Sequence, residues 1–295
     1  MRPWFNAVTN PYLAPFDGSL RHGRCTTKPP RDVPDKKELR RKLKDLGEEI
    51  DELQRMLYAG DQYSVLLVFQ ALDAAGKDGT IRAVFNQVDP AGIRVTSFKR
   101  PTTLELEHDF LWRCAKELPR RGNIGIFNRS YYEEVLAVRV HPEYLKFQNL
   151  PPYRSEKSLW EMRYEAIRQH ELHLVQSGTV VVKFWLKHSR EEQRQRFLSR
   201  LNEPEKNWKF AVSDVKERGF WSKYMSAFQA AINATSRPWA PWYVIPADSK
   251  SYMRVAVAET VRDTLKSLNL SYPVQTAERQ KMLAQMRREL TKPGS

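Results

Sequence analysis

Five short apolar runs, each separated from the next by amphipathic or polar segments, limit this chain more tightly than any other feature. They are Val65-Leu66-Leu67-Val68-Phe69, Ile93 to Phe98, Ile124 to Asn128, Thr179 to Leu186 and Trp242 to Ile245. Continuous runs of four to eight apolar residues mark strands buried on both faces, as in a parallel sheet. Helical patterns lie between them, for example Ser155 to Gln176 and Arg190 to Leu201. Strands alternating with helices predict a doubly wound α/β sheet with helices on both faces. No internal repeat or low-complexity linker divides the 295 residues, so one domain is expected over 35–295.

Before the first strand, Asp35 caps a helix whose Leu39, Leu43, Leu46, Ile50, Leu53 and Leu57 recur at alternating steps of four and three. Such a stripe packs on the chain's own core more often than on a second copy. Residues 1–34 hold Pro, Gly and scattered charge without periodicity, and read as an extended N-terminal arm. The polar stretch Leu201 to Arg218, broken by Pro204, reads as part of a helical lid over about 187–220.

The first strand runs into Ala71-Leu72-Asp73-Ala74-Ala75-Gly76-Lys77-Asp78-Gly79-Thr80 and then a helix. Strand, tight turn and helix N-terminus make an anion site, because unpaired N–H groups and the helix dipole converge there. Ala74 to Thr80 are therefore candidate phosphate-binding residues, with Lys77 adding a point charge. The segment departs from the common phosphate-loop pattern: Ala71 stands for the first Gly, and Asp78 for the magnesium-binding hydroxyl residue. A carboxylate in an anion cradle repels phosphate unless a metal lies between them, so Asp73 is the candidate magnesium ligand. Asn128, at the third strand's tip, is a candidate second ligand and a helix N-cap, and Arg129 lies beside it.

Several separated blocks together resemble the polyphosphate kinase 2 family. They are Asp73 to Thr80; Phe98-Lys99 through His108 to Arg113; Phe127-Asn128-Arg129-Ser130-Tyr131-Tyr132; Val138 to Glu143; Asn207-Trp208-Lys209-Phe210; and Pro241-Trp242 through Asp248. The resemblance covers about Asp35 to Pro273. It implies a P-loop kinase-like α/β/α sandwich with a parallel sheet and a helical lid. It also implies magnesium-dependent, reversible transfer of phosphate from inorganic polyphosphate to nucleotides, with manganese as a substitute ion. Asn-Arg-Ser-Tyr-Tyr-Glu resembles the subgroup accepting both mono- and diphosphates, so ADP, GDP and AMP are candidate acceptors.

By the same resemblance Asp73, Lys77, Asn128 and Arg129 carry catalysis, and Arg129 and Glu133 hold the acceptor; Arg139, within a quoted block, and Lys99, just past the second strand, are further acceptor candidates. Arg196, Arg200 and Lys209 are candidate polyphosphate contacts. Asn128 is neutral where many members have Asp, which weakens it as a base. The family implies a homo-oligomer, dimer or tetramer.

The net charge of +14 favours polyanionic partners. It also raises a nucleic-acid-binding alternative, against which no reader helix or basic-aromatic platform is evident. An ATP-dependent nucleotide kinase of the same fold is the nearer rival, disfavoured by the absence of Ser or Thr after Lys77. With 28% charged residues and no apolar run near the roughly eighteen a spanning helix needs, no membrane association is expected. Two cysteines, and no apolar stretch in Met1 to Asn10, point to a reducing cytoplasm.

Overall fold

A computed structural model describes residues 4–292, except the side chains of Lys206 and Lys209. The five runs form five strands: β1 (Ser64–Gln70), β2 (Ile93–Ser97), β3 (Ile124–Asn128), β4 (Thr179–Lys187) and β5 (Trp242–Pro246). They lie in the order β2-β3-β1-β4-β5 and every pairing is parallel. After β1 the chain crosses to β2 and β3 on one side, then to β4 and β5 on the other. The C-terminal end of β1 is thus the point where strand order reverses, and there the crevice of an open α/β sheet opens.

The principal helices are α1 (Lys36–Gly60), α2 (Lys77–Val84), α3 (Glu156–Gln176), α4 (Arg190–Asn202), α5 (Val212–Arg218), α6 (Trp221–Thr235), α7 (Lys250–Lys266) and α8 (Ala277–Leu290). The Asp35 carboxylate caps α1 by accepting from the N–H groups of Lys37 (2.7 Å) and Glu38 (2.8 Å). The helix stops at Gly60 because Asp61 takes a left-handed conformation, φ 47°. Leu39, Leu46, Ile50 and Leu57 are buried, and α1 packs along α7. The leucine stripe is an own-core face, stabilising by about 1.5–3 kcal/mol per fully buried side chain. No helix among the described residues is long and apolar enough to cross a membrane.

Two regions differ from expectation. β2 is at the sheet edge and leaves Arg94 and Val95 exposed, so its run is not buried on both faces. The N-terminal arm is extended but docked. Phe5 and Leu20 are buried, Val244 N–H donates to Tyr12 O (2.8 Å), and Ala14 N–H donates to Trp242 O (2.8 Å). It thereby satisfies backbone groups that edge strand β5 would otherwise expose. The lid over 187–220 comprises α4, a 3-10 turn at Pro204–Lys209 and α5. The helix α8 has no buried residue, and nothing in the sequence reading anticipated it.

Candidate active site

The cradle is held from behind. Gly76 takes φ 92° and Ala74 takes φ 64°, a region costly for a residue with a β-carbon. Arg196 of α4 secures that turn. Its Nη1 donates to Ala74 O (3.0 Å) and Ala75 O (2.7 Å), Nη2 to Ala247 O (2.6 Å) and Asp248 O (3.3 Å), and Nε to Glu192 Oε1 (2.7 Å). A guanidinium has five N–H groups, and these acceptors take all of them. His188 Nε2 (3.0 Å) and Gln193 Nε2 (3.2 Å) meet Asp73 O. With the turn's carbonyls engaged towards α4, the first N–H groups of α2 are left to a ligand. The N-cap, Gly76, supplies no side-chain cap.

The expectation for Arg196 is therefore corrected, because its contacts are cohesive. Arg196 is buried and fully engaged, while Arg200 faces Asp214 (3.4 Å) and lies over the Phe197 ring. Thr80 is also redirected, because its hydroxyl (3.0 Å) and its N–H (2.9 Å) both donate to Gly76 O. The Lys209 side chain lies outside the described residues.

In front of the cradle stands a charge cluster. Arg129, in left-handed conformation at φ 66°, donates its backbone N–H to Phe69 O (3.0 Å). That turn aims its guanidinium across the β1 tip, where Nη2 donates to Asp73 Oδ1 (2.9 Å) and Nη1 to Glu133 Oε2 (3.1 Å). Glu133 above all, then Asp73, holds Arg129 well above the ordinary guanidinium value. Burial and then repulsion from Arg129 pull Lys77 down to about 8, against Glu133, Asp73 and Asp78.

Asn128 donates to Asp78 Oδ1 (2.8 Å) and Ser97 Oγ (3.3 Å). It is not the helix cap; Ser130 is, accepting from Tyr132 N–H (3.1 Å). Tyr131 and Tyr132 anchor the segment by donating to Glu171 Oε1 (3.0 and 2.9 Å). Glu171 in turn pairs with the equally buried Lys183 (2.5 Å).

A cavity of about 810 Å³ opens beside the cluster on the β2–β3 side, within the roughly 300–1,000 Å³ typical of small-molecule sites. Phe98, Lys99, Arg113, Arg129, Glu133 and Arg163 are among its lining residues. A much smaller cavity under the lid shares Arg129 and Glu133 and adds Asp73, Trp221 and Tyr224. Lys99 is thus brought to the site. Arg139 is not: it donates to the Tyr164 hydroxyl, lies over that ring and lines neither cavity. Sequence reasoning missed Arg113, Arg163 and Tyr224 as lining residues. Arg113 closes one of the quoted blocks and was within reach, whereas Arg163 and Tyr224 sit in helices with no local signature.

Among the described residues no group of three or more His, Cys, Asp or Glu side chains is placed to hold a metal ion. Asp73 keeps Oδ2 without a partner among the described residues, and Asp78 does the same. Two carboxylates at a phosphate cradle fit magnesium, which is held by one or two carboxylates plus phosphate and water oxygens.

A phosphate cradle at the switch point of a parallel sheet, a lid above it and a ligand-sized cavity beside it define a kinase-like phosphotransferase. The chain belongs to the polyphosphate kinase 2 family, which it matches over residues 33–273. It is 51% identical over 246 residues to the ADP-polyphosphate phosphotransferase of Rhodopseudomonas palustris, covering 83% of this chain and 85% of that one. It is 47% identical over 228 residues to the AMP/ADP-polyphosphate phosphotransferase of Meiothermus ruber, covering 77% and 81%. The polyphosphate kinase 2 structure from Arthrobacter aurescens superposes with a TM-score of 0.82 at 35% identity, covering 90% of this chain and 93% of that one.

Proposed function

We propose that this enzyme moves the terminal phosphoryl group of inorganic polyphosphate onto a nucleoside diphosphate such as ADP, and onto AMP, reversibly. The observation that carries the reading is Arg129, bridging Asp73 at the cradle to Glu133 at the edge of the large cavity. A donor phosphate in the cradle and a nucleotide in the cavity would meet at that guanidinium.

Phosphoryl transfer needs alignment and positive charge on the equatorial oxygens far more than covalent help. The N–H groups opening α2 and the Lys77 ammonium hold the transferring group. Arg129 orients the acceptor phosphate, giving up part of its pairing with Asp73 and Glu133 to do so. The acceptor oxygen is already ionised near neutral pH, so no strong base is required, which accommodates the neutral Asn128. Asn128 acts instead by fixing Asp78. Asp73 and Asp78 would hold magnesium, which supplies charge neutralisation between donor and acceptor phosphates when bound. Lys99 and Arg113 at the cavity mouth add positive charge for the nucleotide.

The test is ATP formation from ADP, and ADP formation from AMP, with polyphosphate and magnesium as the only other reactants. The reading predicts both, each abolished by chelation with EDTA. A chain that phosphorylates AMP from ATP but never from polyphosphate would overturn it in favour of an ATP-dependent kinase.

A further inference from the structure

The cradle has a second flank, away from the acceptor cavity, where α2 runs beside α7. There two cations of α7 approach the opening turn of α2. A β-carbon placed on Gly76 would lie 4.0 Å from Lys250 Cε, and one on Gly79 would lie 3.4 Å from Arg254 Nη2. Lys250 and Arg254 are four apart, so they project from one face of α7 over the opening turn of α2. Arg82, three residues beyond Gly79, lies on the same face of α2 and is exposed.

Arg254 is half-buried, and its Nε is fully buried without a hydrogen-bond partner. Neither Arg254 nor Arg82 has an ion pair or side-chain hydrogen bond among the described residues, in contrast to Arg129, Arg196 and Arg200. Burial alone lowers the Arg254 value, with no carboxylate acting against it. An arginine held in a crevice without an anion is costly unless a ligand supplies one.

We propose that the seam of α2 and α7, with Arg254 at its centre and Arg82 and Lys250 beside it, is a binding subsite for the polyphosphate chain. It would take the phosphates that follow the one being transferred. The inference rests on the polyphosphate reading above. It replaces the lid arginines Arg196 and Arg200 as the place where the polymer is gripped. The subsite takes a linear run of phosphates, because its cations extend along the helices from the cradle. A donor with few phosphates ends before the run does. Recognition here therefore governs chain-length preference and leaves the acceptor untouched.

The experiment compares KM for long-chain polyphosphate, tripolyphosphate and ADP in the wild type, Arg254→Gln, and Arg82→Gln/Arg254→Gln. Loss of charge-assisted phosphate contacts raises KM for the long chain about tenfold or more in the double variant. KM for tripolyphosphate rises less, and KM for ADP and the thermal midpoint stay at wild-type values. Arg254→Lys restores most of the affinity, which a packing role for the guanidinium would not allow. Equal rises for long and short donors, or none for either, overturn the subsite. A wild type that uses no polyphosphate of any length overturns the functional reading itself, a distinct result.

Discussion

The two flanks of the cradle hold their positive charge in opposite ways. On the acceptor side Arg129 is shared between Asp73 and Glu133 at hydrogen-bond distance. On the seam with α7, neither Arg254 nor Arg82 has an ion pair among the described residues, and Arg254 Nε is buried without a hydrogen-bond partner. A neutralised cluster makes a substrate exchange one set of contacts for another, which favours selection by geometry. An unpaired cluster attracts any polyanion, and its pull falls as salt rises. A small nucleotide with one correct pose suits the first arrangement, and a long repeating anion suits the second.

The comparison breaks first at the residue between the flanks. Lys77→Ala is expected to lower turnover about 10²- to 10³-fold, the loss typical of removing one preorganised donor from a transferring group. Asp73→Asn should fall in the same range, and both variants should melt with the wild type. Retention of most activity in either would remove the cradle from the chemistry. Next, Arg129→Gln should raise KM for ADP about 10- to 100-fold, since it removes a charge-assisted contact. It should leave the ratio of KM for long and short donors unchanged. A shift in that ratio would mean that the flanks are not separate.

A pH profile sharpens the distinction. Lys77 titrates at about 8 in the free protein, below its ordinary 10.5, so its useful ammonium is lost as pH rises through that value. The profile of kcat/KM for polyphosphate, which reports the free enzyme, should decline above about pH 8. The unfolded chain keeps this proton up to its ordinary value, so between about 8 and 10.5 the same group makes folding more favourable with rising pH. Loss of activity in that window without loss of the thermal midpoint separates titration from unfolding.

A smaller effect is expected at Arg196→Lys. An ammonium has three donors for the five acceptors now held, so the thermal midpoint and kcat should both drop, while chain-length preference stays. Arg139→Gln, which faces Tyr164, should change KM for ADP by less than about twofold, an effect near the 0.5 kcal/mol scale of surface substitutions.

The strands, the cap of α1 and the cradle were legible because each depends on local pattern: apolar runs, an Asp before an amphipathic stripe, small residues between strand and helix. Roles that depend on which partner a long side chain finds were not. Arg196, Arg200 and Arg254 are alike as sequence, all on basic helices. One is enclosed by main-chain carbonyls, one faces Asp214, and one is left open over Gly79. Asn128 was legible as a strand-tip residue, yet its partner Asp78 lies 50 positions away. The exposure of β2 was hidden for the same reason, since edge position is a property of sheet order.

The most direct test of the account is the initial rate of ATP formation from ADP and long-chain polyphosphate, with magnesium, in the wild type and in Lys77→Ala. The account predicts ready ATP formation by the wild type and a fall of about a hundredfold or more in the variant. Equal rates in the two proteins, or no ATP from polyphosphate in either, would contradict it.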